Sequence, residues 1–422
     1  MKLGYLANLA VKSAWNRRGT LSLVAFSIAL STALLLGVER ARTQIKDSFV
    51  QTISGTDLVV GARGGDIQLI LYAIFHLGSA ANNMEWSSAK AIAARPDVAW
   101  TIPISLGDSH KGYPVVATNT DFFERYGFRG DRRLSFAAGK PFDDLFDAVA
   151  GAEAAKRLNY KLGDKIVLSH GESQTGLAEH GDKPFTIAGV LAPTGTTLDR
   201  SLYISLEAME ALHIDWRGGA PIRGFNVSPD QARKFNLEPK NITAALVGLK
   251  KRAGVFALQR EINAWKSESL IGVMPGVALE KIWRMSGALE KALLLISAMV
   301  TITGLAGLIA AILAGLNERR RELAVLRSAG ASAFDIVALL SCEAILLTLV
   351  GIICGVAALT ALIAIAGPAL ANGYGVALYL SAPSLTEWTL IGLIAIAGFI
   401  AGLIPAAKAY RVSLSDGLLI AT

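Results

Sequence analysis

The sequence predicts an α-helical membrane protein with four transmembrane helices and a large α+β domain inserted between the first and second helices. Three observations support this fold class. Of the 422 residues, 52% are hydrophobic and only 18% are charged, whereas soluble domains carry about 25% charged residues. The apolar residues are concentrated in uncharged runs toward the two ends of the chain, and the block between them, 39–291, has a nearly neutral balance of 31 basic and 28 acidic residues. Short apolar or alternating runs within that block indicate strands.

The first apolar run, 20–38, predicts the first transmembrane helix. Its 19 residues match the roughly 20 that a helix needs to cross the hydrocarbon core. A cleaved signal peptide is the alternative, because basic residues precede the run, but no small-x-small cleavage site follows it. The preceding segment, 1–19, is amphipathic, and it is expected either to lie on the inner surface of the membrane or to act only as a topogenic start.

Three further spans follow the central block. An uncharged run of 25 residues predicts the second span at 292–316. The later run 344–386 carries no charge over 43 residues, which is too long for one crossing. Glycines and prolines divide this run. We therefore expect a third helix, a short connector and a fourth helix at 336–366, 367–386 and 387–408.

The positions of the lysines and arginines predict the orientation. Four of them lie in segment 1–19 and four lie in the connector 317–335. Lys408 lies directly before the C-terminal tail, 409–422, and Arg411 lies within it. The connector 367–386 has none. Because short loops rich in Lys and Arg stay in the cytoplasm, both termini and the connector 317–335 are expected to be cytoplasmic, with the central block on the opposite side.

The central block is expected to contain two lobes. The outer lobe would comprise 40–105 and 225–288, and a strand-rich lobe would be inserted at 106–224. Helical spacing predicts helices at 146–158 and 206–212. Strands are predicted at 57–60, 115–117, 165–168 and 185–191.

An apolar stretch at 67–81 lies in this water-facing block. We interpret it as a buried helix of the outer lobe. The alternative is an exposed apolar surface that docks a partner or a lipid-like cargo. The residues that would make this contact are Ile70, Leu71, Tyr72, Ile74 and Phe75.

The connector 317–335 carries the most specific pattern in the chain. Its arginines and glutamates cannot lie in lipid, while its leucines and valine favour a short amphipathic helix that Gly330 can end. Such a helix is suited to lie against a soluble cytoplasmic partner. The alternative is a basic loop that only follows the positive-inside rule.

Segment 319–332, read together with Glu343 and two glycines of the next helix, resembles the FtsX/MacB-type permeases of ABC transporters. Segments 15–23 and 404–409, at the entry to the first span and the exit from the fourth, resemble the same family. The order of one span, one large external domain and three spans is also that of the family. The resemblance therefore covers essentially the whole chain, although it is looser in the central block.

This resemblance implies a multi-pass permease of a bacterial inner membrane whose central block is a periplasmic domain. Two such permeases, expected to form a homodimer, would work with two copies of a separate cytoplasmic ABC ATPase that binds ATP and Mg²⁺. The first two spans would act as levers that transmit movement to the periplasmic domains. The coupling helix would contact the ATPase through Glu318, Arg319, Arg320, Arg321, Glu322, Leu323, Val325, Leu326, Arg327 and Gly330.

The expected function is therefore that of a non-catalytic subunit. The sequence contains no Gly-x-x-x-x-Gly-Lys-[Ser/Thr] run, so ATP is expected to bind a partner chain. The leading activity is export or extraction of an amphipathic cargo (a lipoprotein, lipid, peptide or drug), with a periplasmic accessory protein or lipoprotein and membrane lipid as further partners. One alternative is a signal transducer that activates a periplasmic partner, such as a cell-wall hydrolase, without transport. Another is a receptor-like protein with no ATPase.

The remaining polar residues give weaker signals. Glu343 lies near the cytoplasmic end of the third span, where a carboxylate costs less than the roughly 2.5–3.5 kcal/mol of the bilayer centre, and a structural or coupling role is one interpretation. The two cysteines, Cys342 and Cys354, lie in apolar runs, which excludes a disulfide framework. The basic excess lies at the membrane flanks, so no nucleic-acid partner is expected.

The histidines of the central block are a last candidate. His170 and His180 enclose or adjoin the acids Glu172, Glu179 and Asp182, so a divalent-metal site is an alternative there. Their spacing matches no compact ligand motif, and a hairpin loop is the prediction. We therefore expect no metal or cofactor on this chain.

Overall fold

The computed structural model describes residues 18–52, 55–78, 82–128, 130, 132–171, 180–217, 220–222, 224–318, 325, 328, 330–374 and 380–411. The chain divides into two units: unit 1 contains Met1–Ile45 and Gly287–Thr422, and unit 2 contains Lys46–Ser286. The helices are α1 (Arg18–Thr52), α2 (Asp66–Ala73), α3 (Trp86–Ala93), α4 (Asp121–Arg125), α5 (Ala152–Leu158), α6 (Leu206–His213), α7 (Pro229–Ala232), α8 (Val255–Asn263), α9 (Pro275–Glu318), α10 (Ala333–Tyr374) and α11 (Leu385–Arg411). The strands are β1 (Leu58–Ala62), β2 (Met84–Glu85), β3 (Val98–His110), β4 (Tyr113–Thr118), β5 (Gly127–Phe128), β6 (Arg132–Arg133), β7 (Phe136–Gly139), β8 (Asp147–Ala150), β9 (Lys165–Ile166), β10 (Ser169–His170), β11 (Phe185–Leu191), β12 (Leu202–Ser205), β13 (Trp216–Arg217), β14 (Ala220–Pro221), β15 (Asn241–Ile242), β16 (Ala244–Leu249) and β17 (Leu270–Val273).

Four helices of the described chain are long and apolar enough to cross a membrane, which confirms the predicted number of transmembrane helices. The helices are longer than the predicted spans, since α1 continues to Thr52 and α10 continues past Gly367 and Pro368 to Tyr374. The thickness of the bilayer sets the length of the apolar segment, not the length of the whole helix. Proline is tolerated inside membrane helices. The apolar segments lie at Arg18–Asp47, Gly287–Leu316, Ala333–Gly367 and Leu385–Ala409.

Glycines allow the helices of unit 1 to pack closely. A Cβ atom on Gly355 of α10 would lie 2.5 Å from the Ala29 carbonyl oxygen of α1, and one on Gly351 would lie 2.6 Å from the Ile28 side chain. Small residues at such contacts are the usual basis of helix association in membranes, where lipid is as apolar as the side chains. These two glycines, which take part in the family resemblance, therefore have a packing role between α1 and α10.

Gly402 of α11 offers a direct test of this packing. A Cβ atom there would overlap the Cβ atom of Ala344 on α10, whereas one on Gly392 of the same helix has no described atom within 4 Å. We expect Gly402→Leu to lower the free energy of unfolding by about 1–3 kcal/mol, the usual cost of overpacking. Gly392→Leu is expected to be neutral or stabilising, because glycine is a poor helix former. Chemical unfolding of the detergent-solubilised chain, followed by circular dichroism, measures both variants, and equal effects would contradict the close contact.

Unit 2 is built on one mixed sheet of 11 strands. Along its main path the order is β17-β1-β16-β3-β4-β12-β8-β11-β7, while β10 pairs with β3 and β9 pairs with β11. β12 runs parallel to β4, and β11 runs parallel to β8. With its short helices, this sheet confirms the predicted α+β domain between the first two membrane helices.

The two predicted lobes share this sheet. β17, β1 and β16 come from the ranges assigned to the outer lobe, and β4 and β7 to β12 come from the inserted range. The long strand β3 crosses the predicted boundary at 105/106. Its first part pairs with β16 of the outer lobe, and its second part pairs with β4 and β10 of the inserted lobe. The lobes therefore correspond to two halves of one continuous sheet.

Both faces of the sheet are covered by apolar clusters. Along β1, Leu58 and Val60 pack on one face and Val59 packs on the other, as the alternation of strand side chains requires. Three predicted strands are confirmed as β1, β4 and β11, and the predicted helix at 206–212 is confirmed as α6.

The predicted helix at 146–158 is wrong in its first part. Residues Asp147–Ala150 form β8, and α5 begins only after Gly151. The apolar side chains of β8 are fully buried, and a Cβ atom at Gly151 would lie 2.5 Å from the Leu198 carbonyl oxygen. Tertiary burial thus decides the conformation of a short apolar run that periodicity leaves ambiguous.

The parts of α1 and α9 that belong to unit 2 pack on its core. The ring centroids of Phe49 and Phe75 lie 4.5 Å apart, and those of Phe49 and Trp283 lie 5.8 Å apart. The Tyr126 hydroxyl donates to the Thr52 carbonyl oxygen at the end of α1. The ends of α1 and α9 that belong to unit 2 are therefore held to its core by side-chain contacts.

Candidate functional site

The predicted coupling residues begin, in the sequence, at the last residue of α9 and end before the start of α10. Val325 is 62% exposed, and Gly330 has a φ of +95°, a left-handed conformation typical of the residue that follows a helix. Glu318 is the last residue of α9. Their contact with an ATPase stays a prediction. The coupling residues that lie outside the described part of the chain are Arg319, Arg320, Arg321, Glu322, Leu323, Leu326 and Arg327.

Polar residues organise the start of α10. The Ser332 backbone N–H donates to the Asp335 carboxylate over 2.9 Å, and the Asp335 backbone N–H donates to Ser332 Oγ over 3.2 Å. This reciprocal cap satisfies amide groups that a helix start leaves free. Glu343, two turns further on, is only 2% exposed, so its carboxylate is covered by the helices of unit 1.

Four of the five residues considered for an exposed cargo contact are buried. Ile70, Tyr72, Ile74 and Phe75 are each no more than 5% exposed and lie in the core on one face of the sheet. Leu71 is half-buried. The cargo-contact interpretation is therefore wrong for these four side chains, because covering the sheet removes their apolar surface from water. The leading interpretation, a buried helix of the outer lobe, is confirmed for Asp66–Ala73, which form α2.

A buried ion pair joins α1 to α11 in unit 1. Arg40 Nε and Nη2 donate to Glu387 Oε1 and Oε2 over 2.7 and 2.8 Å, and the two side chains are 7% and 4% exposed. Glu387 also belongs to the cap of α11, because it accepts from the Ser384 backbone N–H and donates its own backbone N–H to Ser384 Oγ. The Ser-x-x-Glu pattern signals the cap, but no sequence pattern places Arg40 beside it.

The structure also brings three histidines and one aspartate together in unit 2. One ligand atom of each lies within 4.8 Å of the others. Asp108 Oδ1 is 3.0 Å from His170 Nδ1 and 3.6 Å from His213 Nε2, and these two nitrogens are 3.2 Å apart. We define the histidine cluster as Asp108 on β3, His170 on β10, His180 before β11 and His213 at the end of α6.

Local features of the fold aim these side chains at one point. The register between β3 and β4 shifts just before Asp108, and such a bulge redirects the next side chain. His170 pairs directly with Asp108 where β10 meets β3. His213 Nδ1 lies 2.8 Å from the Met209 carbonyl oxygen in the last turn of α6, which fixes the ring.

Burial and neighbouring charges set the protonation of the cluster. Burial raises the pKa of Asp108, but the interactions of its carboxylate with His170, His213 and His180 together outweigh burial and lower this pKa to about 2. Burial lowers the pKa of His180 to about 4, so this imidazole is neutral at pH 7. Burial also opposes the charged form of His213, but its interactions with Asp108, the Met209 carbonyl oxygen and Glu210 together outweigh burial and raise its pKa. Carboxylate and imidazole are donor types that suit zinc and other divalent transition metals.

Sequence reasoning found only half of this cluster. His170 and His180 stood out, but Asp108 and His213 are 62 and 43 positions away from His170, so no local spacing motif includes them. Of the acids considered with the histidines, Glu172 and Glu179 lie outside the described residues. The third, Asp182, forms an ion pair with Lys183.

Comparison with known proteins identifies two family models. Residues 19–264 match the model described as the MacB-like periplasmic core domain, and residues 294–414 match the FtsX-like permease C-terminal model. No curated protein matches the chain.

Two solved structures are reported as similar. The periplasmic region of MacB from Actinobacillus actinomycetemcomitans is 11% identical, with a TM-score of 0.34, and the match covers 55% of this chain and 95% of that one. The extracellular domain of the noncanonic ABC-type transporter YknZ from Gram-positive bacteria is 9% identical, with a TM-score of 0.30, and the match covers 52% of this chain and 99% of that one.

Proposed function

We infer that this chain couples ATP hydrolysis by a separate cytoplasmic ATPase to motion of its periplasmic domain, because it belongs to the family of FtsX-like permeases with a MacB-like periplasmic core domain. Membership makes the chain a permease component of an ABC transporter, and it makes unit 2 the periplasmic domain of an inner-membrane protein. The process we propose is export or extraction of an amphipathic cargo such as a lipoprotein, lipid, peptide or drug.

The observation that carries this proposal is the anchoring of α1 and α9 in the core of unit 2. Phe49 of α1 contacts Phe75 and Trp283, so residues of both helices share one aromatic cluster with the periplasmic core. Within these two helices, proline occurs only at Pro275, the first position of α9, where it interrupts no helical hydrogen bond. Unbroken helices with packed ends are suited to transmit displacement as levers.

The proposed coupling element is the segment 318–330. Both termini and this segment would lie in the cytoplasm, where the segment would sit against the ATPase. ATP and Mg²⁺ would bind to two ATPase copies, and two permease copies would form the membrane part. A periplasmic accessory protein or lipoprotein would complete the export route.

Disrupting the coupling segment is expected to separate the permease from its ATPase. The double substitution Glu322→Lys and Leu326→Asp reverses one charge and removes one apolar contact in the proposed helix. We expect it to abolish co-purification of the ATPase, because a few side chains usually carry most of the binding energy of a protein interface. Affinity purification of the full chain from membranes, followed by quantification of the bound ATPase, measures the effect.

A matched control uses the same chemical changes in the periplasmic domain. Glu207 and Leu162 are both exposed there, so Glu207→Lys with Leu162→Asp should leave both membrane insertion and ATPase binding unchanged. Retained ATPase in the coupling variant, with normal insertion, would contradict the assignment of the segment.

Identification of the cargo separates export from signal transduction. Complexes trapped with a hydrolysis-deficient ATPase hold the substrate if the permease moves one, and mass spectrometry of co-purified molecules reveals it. A recurrent amphipathic molecule supports export. Recovery of a periplasmic hydrolase with no such molecule favours transduction.

A further inference from the structure

We propose that the periplasmic domain binds one divalent transition-metal ion, with Zn²⁺ the best match, through the histidine cluster. This site is independent of the ATPase coupling described above. The unpaired buried atoms, the orientation of the His213 ring, the distances between the ligand atoms and the contacts around the ligands support this site.

His180 gives the first argument. Its side chain is 0% exposed, and neither ring nitrogen has a hydrogen-bond partner among the described residues. Asp108 Oδ2, also buried, has no such partner in the same part of the chain. Buried polar groups are nearly always paired, and leaving one unpaired costs about 1–3 kcal/mol. A metal ion in the cluster would give one of the unpaired His180 nitrogens a partner.

His213 gives the second argument. Its Nδ1 faces the Met209 carbonyl oxygen over 2.8 Å, and since a carbonyl can only accept, Nδ1 carries the hydrogen. In the neutral ring, Nε2 then presents a lone pair toward Asp108 Oδ1 and His170 Nδ1. A ring nitrogen that donates to a backbone carbonyl while the other nitrogen faces the ion is the usual arrangement of metal-binding histidines.

The distances give the third argument. Tetrahedral zinc with bonds of about 2.0–2.1 Å places its ligand atoms about 3.3 Å apart. In the structure, Asp108 Oδ1 and His170 Nδ1 are 3.0 Å apart, His170 Nδ1 and His213 Nε2 are 3.2 Å apart, and Asp108 Oδ1 and His213 Nε2 are 3.6 Å apart. With the fourth ligand, all atoms lie within 4.8 Å. Three imidazoles and one carboxylate would complete a closed four-coordinate site.

The surroundings give the fourth argument. Lys183 Nζ lies 2.8 Å from both carboxylate oxygens of Asp215 inside the domain, and the Lys183 backbone N–H donates to the His180 carbonyl oxygen. The Lys183–Asp215 ion pair therefore connects the segment that follows His180 to the segment that follows His213. The Trp216 ring, 4.2 Å from that of His180, covers one side. Ligands held in place by such contacts are preorganised for an ion.

The chemical alternative is a metal-free network in which His170 donates to Asp108. That network uses the 3.0 Å contact between these side chains, but it gives no partner to the nitrogens of His180. His170 and His213 have 35% and 28% of their side-chain surface exposed, so solvent offers an ion a path into the site.

Zinc titration of the full-length chain tests the proposal. The protein is purified in detergent without a polyhistidine tag, stripped with a chelator and titrated with ZnCl₂ by calorimetry, with bound metal counted by mass spectrometry. We expect one zinc per chain. His180→Gln and Asp108→Asn should each weaken binding by more than about 100-fold, the upper limit of what loss of a supporting residue alone costs.

The control is His76→Asn, which changes another buried histidine of the same domain outside the cluster. This variant should bind zinc as the unchanged protein does. Cobalt gives a readout that does not depend on any variant, because a tetrahedral site produces strong visible d–d absorption when Co²⁺ replaces zinc. Binding of less than one zinc, zinc binding unaffected in both ligand variants, or the absence of a tetrahedral cobalt spectrum would each overturn the proposal.

Discussion

Replacing Arg40 by methionine is expected to lower the free energy of unfolding by about 3–5 kcal/mol, because it leaves a buried carboxylate without its partner. The Arg40 and Glu387 side chains are 7% and 4% exposed, and their two hydrogen bonds of 2.7 and 2.8 Å form a bidentate pair. Bidentate guanidinium–carboxylate contacts are among the strongest hydrogen bonds in proteins. The loss therefore comes from an unpaired buried charge rather than from a missing surface contact.

A double-mutant cycle separates the charge from the cap of α11. Glutamine at 387 can keep the contact with the Ser384 backbone N–H, since glutamine serves in capping boxes as glutamate does. We expect Arg40→Met with Glu387→Gln to recover more than half of the stability lost in Arg40→Met, because replacing both members of a buried pair is often nearly neutral. Chemical unfolding in detergent micelles gives the four free energies.

An exposed ion pair serves as the comparison. Lys140 and Asp143 are 67% and 77% exposed, so Lys140→Met should leave unfolding almost unchanged. A small effect of Arg40→Met, or a double variant no more stable than the single one, would show that the buried pair contributes no coupled stabilisation between α1 and α11.

The membrane part of this chain could be predicted from sequence because lipid imposes one simple requirement. A crossing needs about 20 apolar residues, and runs such as 20–38 and 292–316 meet it without reference to the rest of the chain. Helix ends were less predictable: α10 continues through Pro368 to Tyr374, since one missing hydrogen bond does not outweigh those of its neighbours. Charge counts carry no information about such ends.

Unit 2 was predicted less completely because its local structure depends on distant partners. Residues 147–150 have an apolar pattern compatible with a helix, and they form a strand because β11 and β12 pair with them on both sides. The stretch around Ile74 is predictable as buried, since so many apolar side chains in a water-facing sequence need a core, and Ile74 is 1% exposed.

The polar sites lay beyond sequence reasoning for the same reason. Arg40 and Glu387 are 347 positions apart, and the histidine cluster draws on three strand or helix ends and one loop. Pairing of β10 with β3 brings His170 to Asp108, and strand pairing over such distances cannot be read from spacing. The sequence therefore indicates only His170 and His180, which lie close together along the chain beside acidic residues, and not Asp108 or His213.

His76 gives the second prediction of large effect, a loss of stability on acidification. Its imidazole is buried in unit 2, where Nδ1 lies 2.8 Å from Ser201 Oγ and the ring is edge-on to Tyr203. Burial lowers the pKa of His76 from 6.5 to about 4. Between these values the unfolded chain binds a proton that the folded chain does not, so the free energy of unfolding falls as the pH falls.

The size of this loss follows from the same two pKa values. It begins below pH 6.5, reaches about 2 kcal/mol at pH 5 and about 3 kcal/mol at pH 4, since one pKa unit corresponds to about 1.4 kcal/mol. His76→Asn removes the titrating group while keeping a residue that tolerates the positive φ of 55° at this position. Unfolding of both full-length proteins at pH 7 and pH 5 gives the change in each, and all other titrating groups cancel in the difference. The variant should lose about 2 kcal/mol less than the unchanged protein on going to pH 5; identical losses would mean that His76 is protonated in the folded state and that its burial carries no pH-dependent cost.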